Sequence, residues 1–80
     1  MLTVELREAD KASSKLAEVE IFCDSEDLET LMRQLEFLKK GSTHVHLNTP
    51  SWAGDELNEK TVGEGNVLIH HLRIAMVPPI

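Results

Sequence analysis

The sequence predicts an α+β fold: a four-stranded, mostly antiparallel sheet in the order ββαββ, with one amphipathic helix packed on one face. Three observations predict it. Two stretches near the N-terminus alternate apolar and polar residues, one central stretch has apolar residues at helical spacing, and two strand-like stretches follow it. The 80 residues suffice for one small domain, which we assign to residues 1–80.

The first two strands are predicted from alternation with a period of two residues. Their apolar positions share one face of each strand and are Leu2, Val4, Leu6, Ala17, Val19 and Ile21. The residues between these positions are polar, including Glu18 and Glu20, so each strand has one face suited to a core. The polar segment 8–15 between the strands is predicted to be a hairpin loop.

The helix is predicted over residues 25–40. Asp24 or Ser25 can supply the oxygen that caps its first N–H groups, and Gly41 is a suitable residue just beyond its C-terminus. Its apolar residues recur on one side and are Leu28, Leu31, Met32, Leu35 and Leu38. We expect this stripe to lie across the sheet, with Leu31 and Leu35 buried.

The last two strands are predicted over residues 43–48 and 66–77, with a loop between them. In the third strand, Val45 and Leu47 alternate with His44 and His46. The fourth strand is apolar on both faces, which predicts a position inside the sheet. Strand orders 1-2-4-3 and 2-1-3-4 both remain possible.

The charge balance limits the classes of partner. The chain has 14 acidic and 8 basic residues, for a net charge of −6. Nucleic-acid binders and anionic-membrane binders need clustered Lys and Arg, so this composition argues against both and suits a basic partner. A single cysteine, an acidic N-terminus and the lack of a long apolar run predict a cytoplasmic protein.

Three histidines are candidates for a common site. His44 and His46 share a strand face, and alternation puts His71 on the face opposite the helix. If the third and fourth strands are neighbours, these three rings converge and two of them can reach one metal ion, although zinc needs further ligands. The alternative is that they solvate the sheet or contact a partner. Because no Cys-rich or HExxH-type spacing is present, we assign no metal and no cofactor. His70 alternates with apolar residues and is expected on the core side, with one nitrogen hydrogen-bonded.

Acidic and aromatic residues are candidates for partner contacts. The cluster Asp24, Glu26, Asp27 and Glu29 is explained by the helix dipole, or alternatively by a cationic partner surface. Trp52 either closes one end of the core or anchors a binding loop. Asp55 and Glu56 either cap a short turn or offer carboxylates to a basic partner. No set of residues has the spacing of a catalytic site.

Residues 41–57 and 64–76 resemble the immunity protein 32 family of bacterial polymorphic toxin systems. The shared pattern is G-x-x-H-V-H-L, then P-x-W-x-G-x-E-L, then a closing strand. The matching residues are Gly41, His44, Val45, His46, Leu47, Pro50, Trp52, Gly54, Glu56 and Leu57. The resemblance implies a cytoplasmic protein, made beside a toxin gene, that binds its cognate toxin, blocks it by occlusion and has no catalytic activity.

Together these features predict a surface that binds a basic toxin domain. Its candidate residues are Asp24, Glu26, Asp27, Glu29, His44, His46, Trp52, Asp55 and Glu56. The alternative is a small homodimeric metal- or ligand-binding module that uses the face of His44, His46 and His71. Such a homodimer would form through the open sheet face, where Glu18, Glu20 and the histidines are expected beside apolar Phe22, Val67 and Ile69.

Overall fold

The computed structural model describes residues 1–8 and 17–79 and arranges them as one helix and two antiparallel sheets. The elements in chain order are β1 (Thr3–Glu8), β2 (Ala17–Phe22), α1 (Ser25–Lys39), β3 (His44–Asn48), a one-turn 3-10 helix (Pro50–Trp52), β4 (Val67–Ile69) and β5 (His71–Ala75). The α+β prediction is therefore confirmed, whereas the single four-stranded sheet is not. The predicted hairpin loop lies, beyond Glu8, outside the described residues.

The strand order differs from both predicted orders. One sheet has the order β2-β1-β4 and the other pairs β3 with β5, and every pairing is antiparallel. The segment predicted as one fourth strand therefore divides its pairing between the sheets. Its first half pairs with β1 and its second half with β3, so the segment as a whole lies between two other strands.

The division occurs at His70, where the chain bends between β4 and β5. Ile69 lies opposite Val4 in one sheet, and Leu72 lies opposite Leu47 in the other. These two core residues are three positions apart in sequence, whereas residues on one face of a continuous strand are an even number of positions apart. The core-facing positions therefore change from odd-numbered to even-numbered residues at the bend. The sequence looked apolar on both faces because two short strands, each with one apolar face, follow one another. The prediction that Val67 and Ile69 share the histidine face is wrong for the same reason.

The ends of α1 follow from local chemistry, and the predicted boundaries are confirmed to within one residue. The Asp24 carboxylate accepts a hydrogen bond from the Asp27 N–H at 2.8 Å. At the other end, Ser42 N–H donates to Phe37 O at 3.0 Å and Gly41 N–H donates to Leu38 O at 3.3 Å. This pair of bonds closes a Schellman turn, which needs the positive φ of +115° that Gly41 adopts without strain.

The packing of α1 corrects the prediction for its apolar stripe. Leu38 is buried and Leu31 packs partly against the core, but Leu35 is 43% exposed, so its predicted burial is wrong. Leu28 and Met32 are also exposed, by 45% and 51%. The helix makes its main contact with β3. The helix positions that turn inward are Asp27, Thr30, Leu31, Gln34 and Leu38. At 100° per residue, their mean direction lies roughly 80° from the centre of the apolar stripe.

The buried core is small and joins both sheets to α1. Its buried apolar residues are Leu2, Val4, Leu38, Val45, Leu47 and Leu57. Leu57 comes from the long loop after β3, and its N–H donates to Asn48 O at 3.1 Å. The core therefore also anchors that loop beside the first turn of α1. In the part of the chain that the structure describes, α1 is too short and too polar to cross a membrane.

Candidate functional site

Acidic side chains from two distant segments meet beside the first turn of α1. Asp27 of the helix lines the same two cavities as Asp55 and Glu56 of the loop, and the cavity volumes are about 320 and 330 Å³. The other residues around them are Met1, Leu2, Thr30, Arg33, Gln34, Pro50, Leu57 and Asn58. We call this region the acidic cleft. It unites members of two candidate groups that are almost thirty residues apart in sequence.

Backbone hydrogen bonds fix the loop side of the acidic cleft. The Glu56 carboxylate accepts hydrogen bonds from Asp55 N–H at 3.0 Å and Asn48 N–H at 3.2 Å. Burial acts to raise the pKa of Glu56, but hydrogen bonds from its own N–H and from those of Asn48 and Asp55 outweigh burial and lower it. Gly54 allows this close packing, because an added Cβ would lie 2.5 Å from Asn48 Cβ. Glu56 is thus a fixed, ionised carboxylate, and Asp55 beside it is exposed.

The helix side of the cleft already contacts a cationic group. The amino group of Met1 lies 2.7 Å from an Asp24 carboxylate oxygen and also contacts Asp27. Asp24 additionally caps α1, so part of its charge serves the helix. Glu26 and Glu29 are exposed on α1 and line neither cavity of the cleft. The predicted acidic cluster therefore divides into residues at the cleft and residues on the outer helix surface.

The histidines and Trp52 form a second feature, a run of four contacting rings that we call the ring stack. His44 meets His46 edge-to-face, and His46 stacks on His71, each with ring centroids 4.9 Å apart. Trp52 also stacks on His71, with ring centroids 5.7 Å apart. His46 Nδ1 and His71 Nε2 are 2.7 Å apart, within hydrogen-bonding distance. The expectation that His44, His46 and His71 converge is confirmed, because β3 and β5 are neighbours.

The ring stack differs from the acidic cleft in charge. His46 lies directly opposite Arg73 in the β3–β5 ladder. Desolvation lowers the pKa of His46, and the charges of His44, His71 and Arg73 lower it further. The stack thus has a cationic neighbour and disfavours an added positive charge. The predicted site residues consequently belong to two surfaces, which the 3-10 helix connects because Pro50 lines the cleft and Trp52 joins the stack.

Two predictions about single side chains have different outcomes. Trp52 is 57% exposed, so it does not close the core, and that interpretation is wrong. Leu57, five residues later, is an apolar residue of this loop that is buried in the core. His70 is partly buried, and its Nδ1 lies 2.7 Å from Thr49 Oγ1, as expected for a core-side histidine with one bonded nitrogen.

Metal binding can be assessed from the donor geometry. Across residues 1–8 and 17–79, no group of three or more His, Cys, Asp or Glu side chains is arranged to hold a metal ion. Two ring nitrogens bound to one zinc ion at tetrahedral angles would be roughly 3.3 Å apart. The shorter 2.7 Å separation of the His46 and His71 nitrogens matches a hydrogen bond instead. Holding a metal at this pair would require the two rings to separate.

Glu5 is an organising residue that sequence reasoning missed. It was expected on the polar face of β1, yet it is fully buried beneath the loop that follows the acidic cleft. Its carboxylate accepts hydrogen bonds from Thr3 Oγ1 at 2.5 Å, Val62 N–H at 2.8 Å, Gly63 N–H at 3.0 Å and Asn66 Nδ2 at 3.0 Å. Strand alternation cannot reveal this burial, since the covering loop is almost sixty residues away.

A scan of protein families, a search of curated proteins and a search of solved structures each returned no match for this chain.

Proposed function

We propose that this protein is a non-enzymatic immunity protein that binds a basic bacterial toxin domain, encoded nearby, and blocks that domain by occlusion. The observation that carries the proposal is the acidic cleft, in which Asp27, Asp55 and Glu56 converge from separate segments. The resemblance of residues 41–57 and 64–76 to an immunity family points in the same direction.

The cleft suits a lysine or arginine side chain from the partner. Glu56 is held ionised by backbone donors, so its orientation is set before binding. The Asp27 carboxylate lines the same cavities as Glu56, so the two acidic groups could contact one cation from opposite walls of the cleft. Charge-assisted hydrogen bonds to a guanidinium or an ammonium would then form with little reorganisation of the protein. Opposite charges on the two surfaces would mainly speed association.

Trp52 supplies an anchor next to the charged region. It is exposed, lies two residues after cleft-lining Pro50 and is supported from one side by His71. Exposed aromatic residues on a rigid support are frequent hot spots in interfaces, because they bury much apolar surface with little loss of entropy. The acidic cleft would set the approach of the toxin, and Trp52 would slow its release.

Co-expression with the neighbouring toxin domain is the direct test. Cells that make this protein should survive induction of the toxin, and protection should fall for Asp55→Lys but not for Glu64→Lys. Both changes alter the net charge equally, but only Asp55 lines the cleft. The proposal fails if cells that carry the unchanged protein die as fast as cells that lack it.

A second candidate function is a small homodimeric metal- or ligand-binding module that uses the ring stack. The convergence of His44, His46 and His71 favours it. Calorimetric titration with Zn²⁺ or Ni²⁺ would test whether the ring stack binds metal. Binding that disappears in a His46→Ala, His71→Ala double variant would support the module, and the absence of a heat signal at millimolar metal would exclude metal binding.

A further inference from the structure

We propose that the ring stack and Arg73 form a binding site for a tetrahedral oxyanion, the chemistry shared by sulfate and phosphate. His46 lies directly opposite Arg73 in the β3–β5 ladder, and His44 lies two residues before His46 on the same strand face. This face is exposed, whereas Val45 and Leu47 on the other face of β3 are buried in the core. The site is separate from the acidic cleft, so the inference does not rest on the proposed immunity function.

The groups that surround His46 are cationic or neutral. Desolvation lowers its pKa, and so do the charges of His44, His71 and Arg73. None of these groups of the described chain is a carboxylate. Trp52, from the 3-10 helix, completes the stack with a neutral ring. An added positive charge is therefore disfavoured at this face of the sheet, and an added negative charge is favoured.

Arg73 has no carboxylate partner among the side chains that the structure describes. The ion pairs there involve the Met1 amino group and Arg7. Glu56 and Glu59 of the loop after β3 instead accept backbone N–H groups of β3 and of the 3-10 helix. Since Arg73 is exposed, its five guanidinium N–H donors are accessible to a ligand.

Each histidine of the stack uses one ring nitrogen, and the other nitrogen has no partner among the described residues. His44 Nδ1 lies 3.0 Å from Thr43 Oγ1, and His46 Nδ1 lies 2.7 Å from His71 Nε2. One hydrogen lies between the two bonded nitrogens, so the second hydrogen of the neutral pair is on an outward nitrogen. One added proton makes both outward nitrogens donors and leaves the contact between the rings intact. The stack thus gains donors for an anion without rearrangement.

An oxyanion fits this arrangement better than a metal ion. A metal ion would add positive charge beside Arg73 and would require the rings of His46 and His71 to separate, whereas an anion requires neither change. Its oxygens would accept hydrogen bonds from the guanidinium, which binds oxyanions in a bidentate manner, and from His46 Nε2. Residues directly opposite each other in an antiparallel pair have Cβ atoms about 5 Å apart, so one small anion can contact both side chains.

Anion binding and proton uptake are coupled at this site. A bound negative charge offsets the repulsion between His46 and its cationic neighbours, so it favours the singly protonated pair of His46 and His71. By the same linkage, the protonated pair binds the anion more tightly. The affinity for an oxyanion should therefore rise as the pH falls, by up to about tenfold per pH unit for one linked proton, and level off once the pair holds that proton.

Calorimetric titration with sodium sulfate, at an ionic strength held constant with sodium chloride, tests the proposal. The unchanged chain should bind one sulfate ion, with an affinity at least about fivefold higher at about pH 6 than at about pH 8. Arg73→Gln should weaken binding at least about tenfold, because it removes the bidentate donor. Arg33→Gln makes the same change in charge on α1, which packs against the other face of β3, and should weaken binding less than about twofold.

Inorganic phosphate and phenyl phosphate, titrated in the same way, distinguish two sources of the anion. Equal affinities would identify a free ion as the ligand. Tighter binding of phenyl phosphate would identify a phosphoryl group carried by a larger molecule, because the phenyl ring can stack on the exposed Trp52. Both results support the oxyanion site, whereas binding of neither compound would overturn it.

NMR of the imidazole protons tests the same site without relying on loss of binding. Sulfate keeps its charge over this pH range, so the proton that titrates belongs to the protein. Sulfate should raise the pKa of His46 in the unchanged chain and in Arg33→Gln, and far less in Arg73→Gln. The inference is overturned if millimolar sulfate does not bind, if the two arginine variants weaken binding equally, or if sulfate leaves the pKa of His46 unchanged.

Discussion

Glu5 is a buried carboxylate that the surrounding donors hold in its ionised form. Burial alone would raise its pKa, but hydrogen bonds from Thr3, Val62, Asn66 and Gly63 outweigh burial and lower the pKa from 4.5 to about 2. The bonds from Val62, Gly63 and Asn66 connect β1 to the loop after the acidic cleft, and the bond from Thr3 orients the Glu5 carboxylate. The residue therefore joins β1 to the loop that precedes β4.

Glu5→Gln should destabilise the fold by about 1–3 kcal/mol, because the amide would direct its own donor at the N–H groups of the loop. Glu18→Gln is the matched control on the same strand pair. Its side chain is exposed, and it should change stability by less than about 0.5 kcal/mol. Urea unfolding at pH 7 measures both. Equal losses in the two variants would show that the Glu5 network does not stabilise the protein.

The same carboxylate predicts a pH dependence with a definite sign. Its pKa in the folded state, about 2, lies below the unfolded value of 4.5. Its contribution to stability is therefore complete above pH 4.5 and is lost as the pH falls towards 2. The urea midpoint of the unchanged chain should drop more steeply across this window than that of Glu5→Gln. Parallel curves for the two proteins would contradict the lowered pKa.

His46 should remain neutral further into acid than an ordinary histidine. Its pKa lies below 6.5 because of desolvation and the neighbouring His44, His71 and Arg73. Since the neutral form is favoured in the folded state, stability from this group is lost as the pH falls below 6.5. His71→Ala should raise the pKa of His46 towards 6.5, as followed by NMR of the imidazole protons. An unchanged titration in that variant would show that the ring contact has no electrostatic effect.

At the scale of elements, α1 shows that the position of a helix and its buried side are separate properties. Capping chemistry is local, so Asp24 and Gly41 predicted the helix ends well. The buried side depends on which strand the helix crosses, and contact with β3 turned the apolar stripe outward. Local sequence therefore predicted the helix but not the exposure of Leu35.

Truncation of two leucines in α1 should give different results. Leu38→Ala should cost about 2–5 kcal/mol, because it opens a cavity in the core. Leu35→Ala should cost less than about 1 kcal/mol, since this side chain is largely exposed. Urea unfolding at low micromolar concentration measures both. A larger loss of stability for Leu35→Ala than for Leu38→Ala would contradict the assignment of Leu38 to the buried side of the helix and Leu35 to the exposed side.

The bend at His70 explains why the sheet could be predicted only in part. Alternation identified β1, β2 and β3 because each keeps one parity throughout. Alternation did not separate β4 from β5. The core-facing positions are odd-numbered in β4 and even-numbered in β5, so the whole segment looked like one strand with two apolar faces. The convergence of the three histidines was still predictable, since it depends only on β3 and β5. The acidic cleft was not, because it needs tertiary contact between α1 and a loop without regular structure.

At the scale of the whole molecule, the net charge of −6 is distributed unevenly. Three carboxylates and Arg33 line the acidic cleft, whereas Arg73 and three histidines lie on one face of β3 and β5. A basic partner should therefore approach the cleft in a defined orientation, with Trp52 near the boundary between the two surfaces. This separation is the physical basis of the proposed immunity function.

The measurement that tests the proposed immunity function most directly is the association rate, at low salt, of the protein with the toxin domain that we propose as its partner. Asp55→Lys should slow association at least about tenfold, and Glu64→Lys, with the same change in net charge, should slow it far less. Raising the salt concentration should remove most of the difference between the variants. Equal association rates for Asp55→Lys and Glu64→Lys at low salt would contradict the acidic cleft as the docking site.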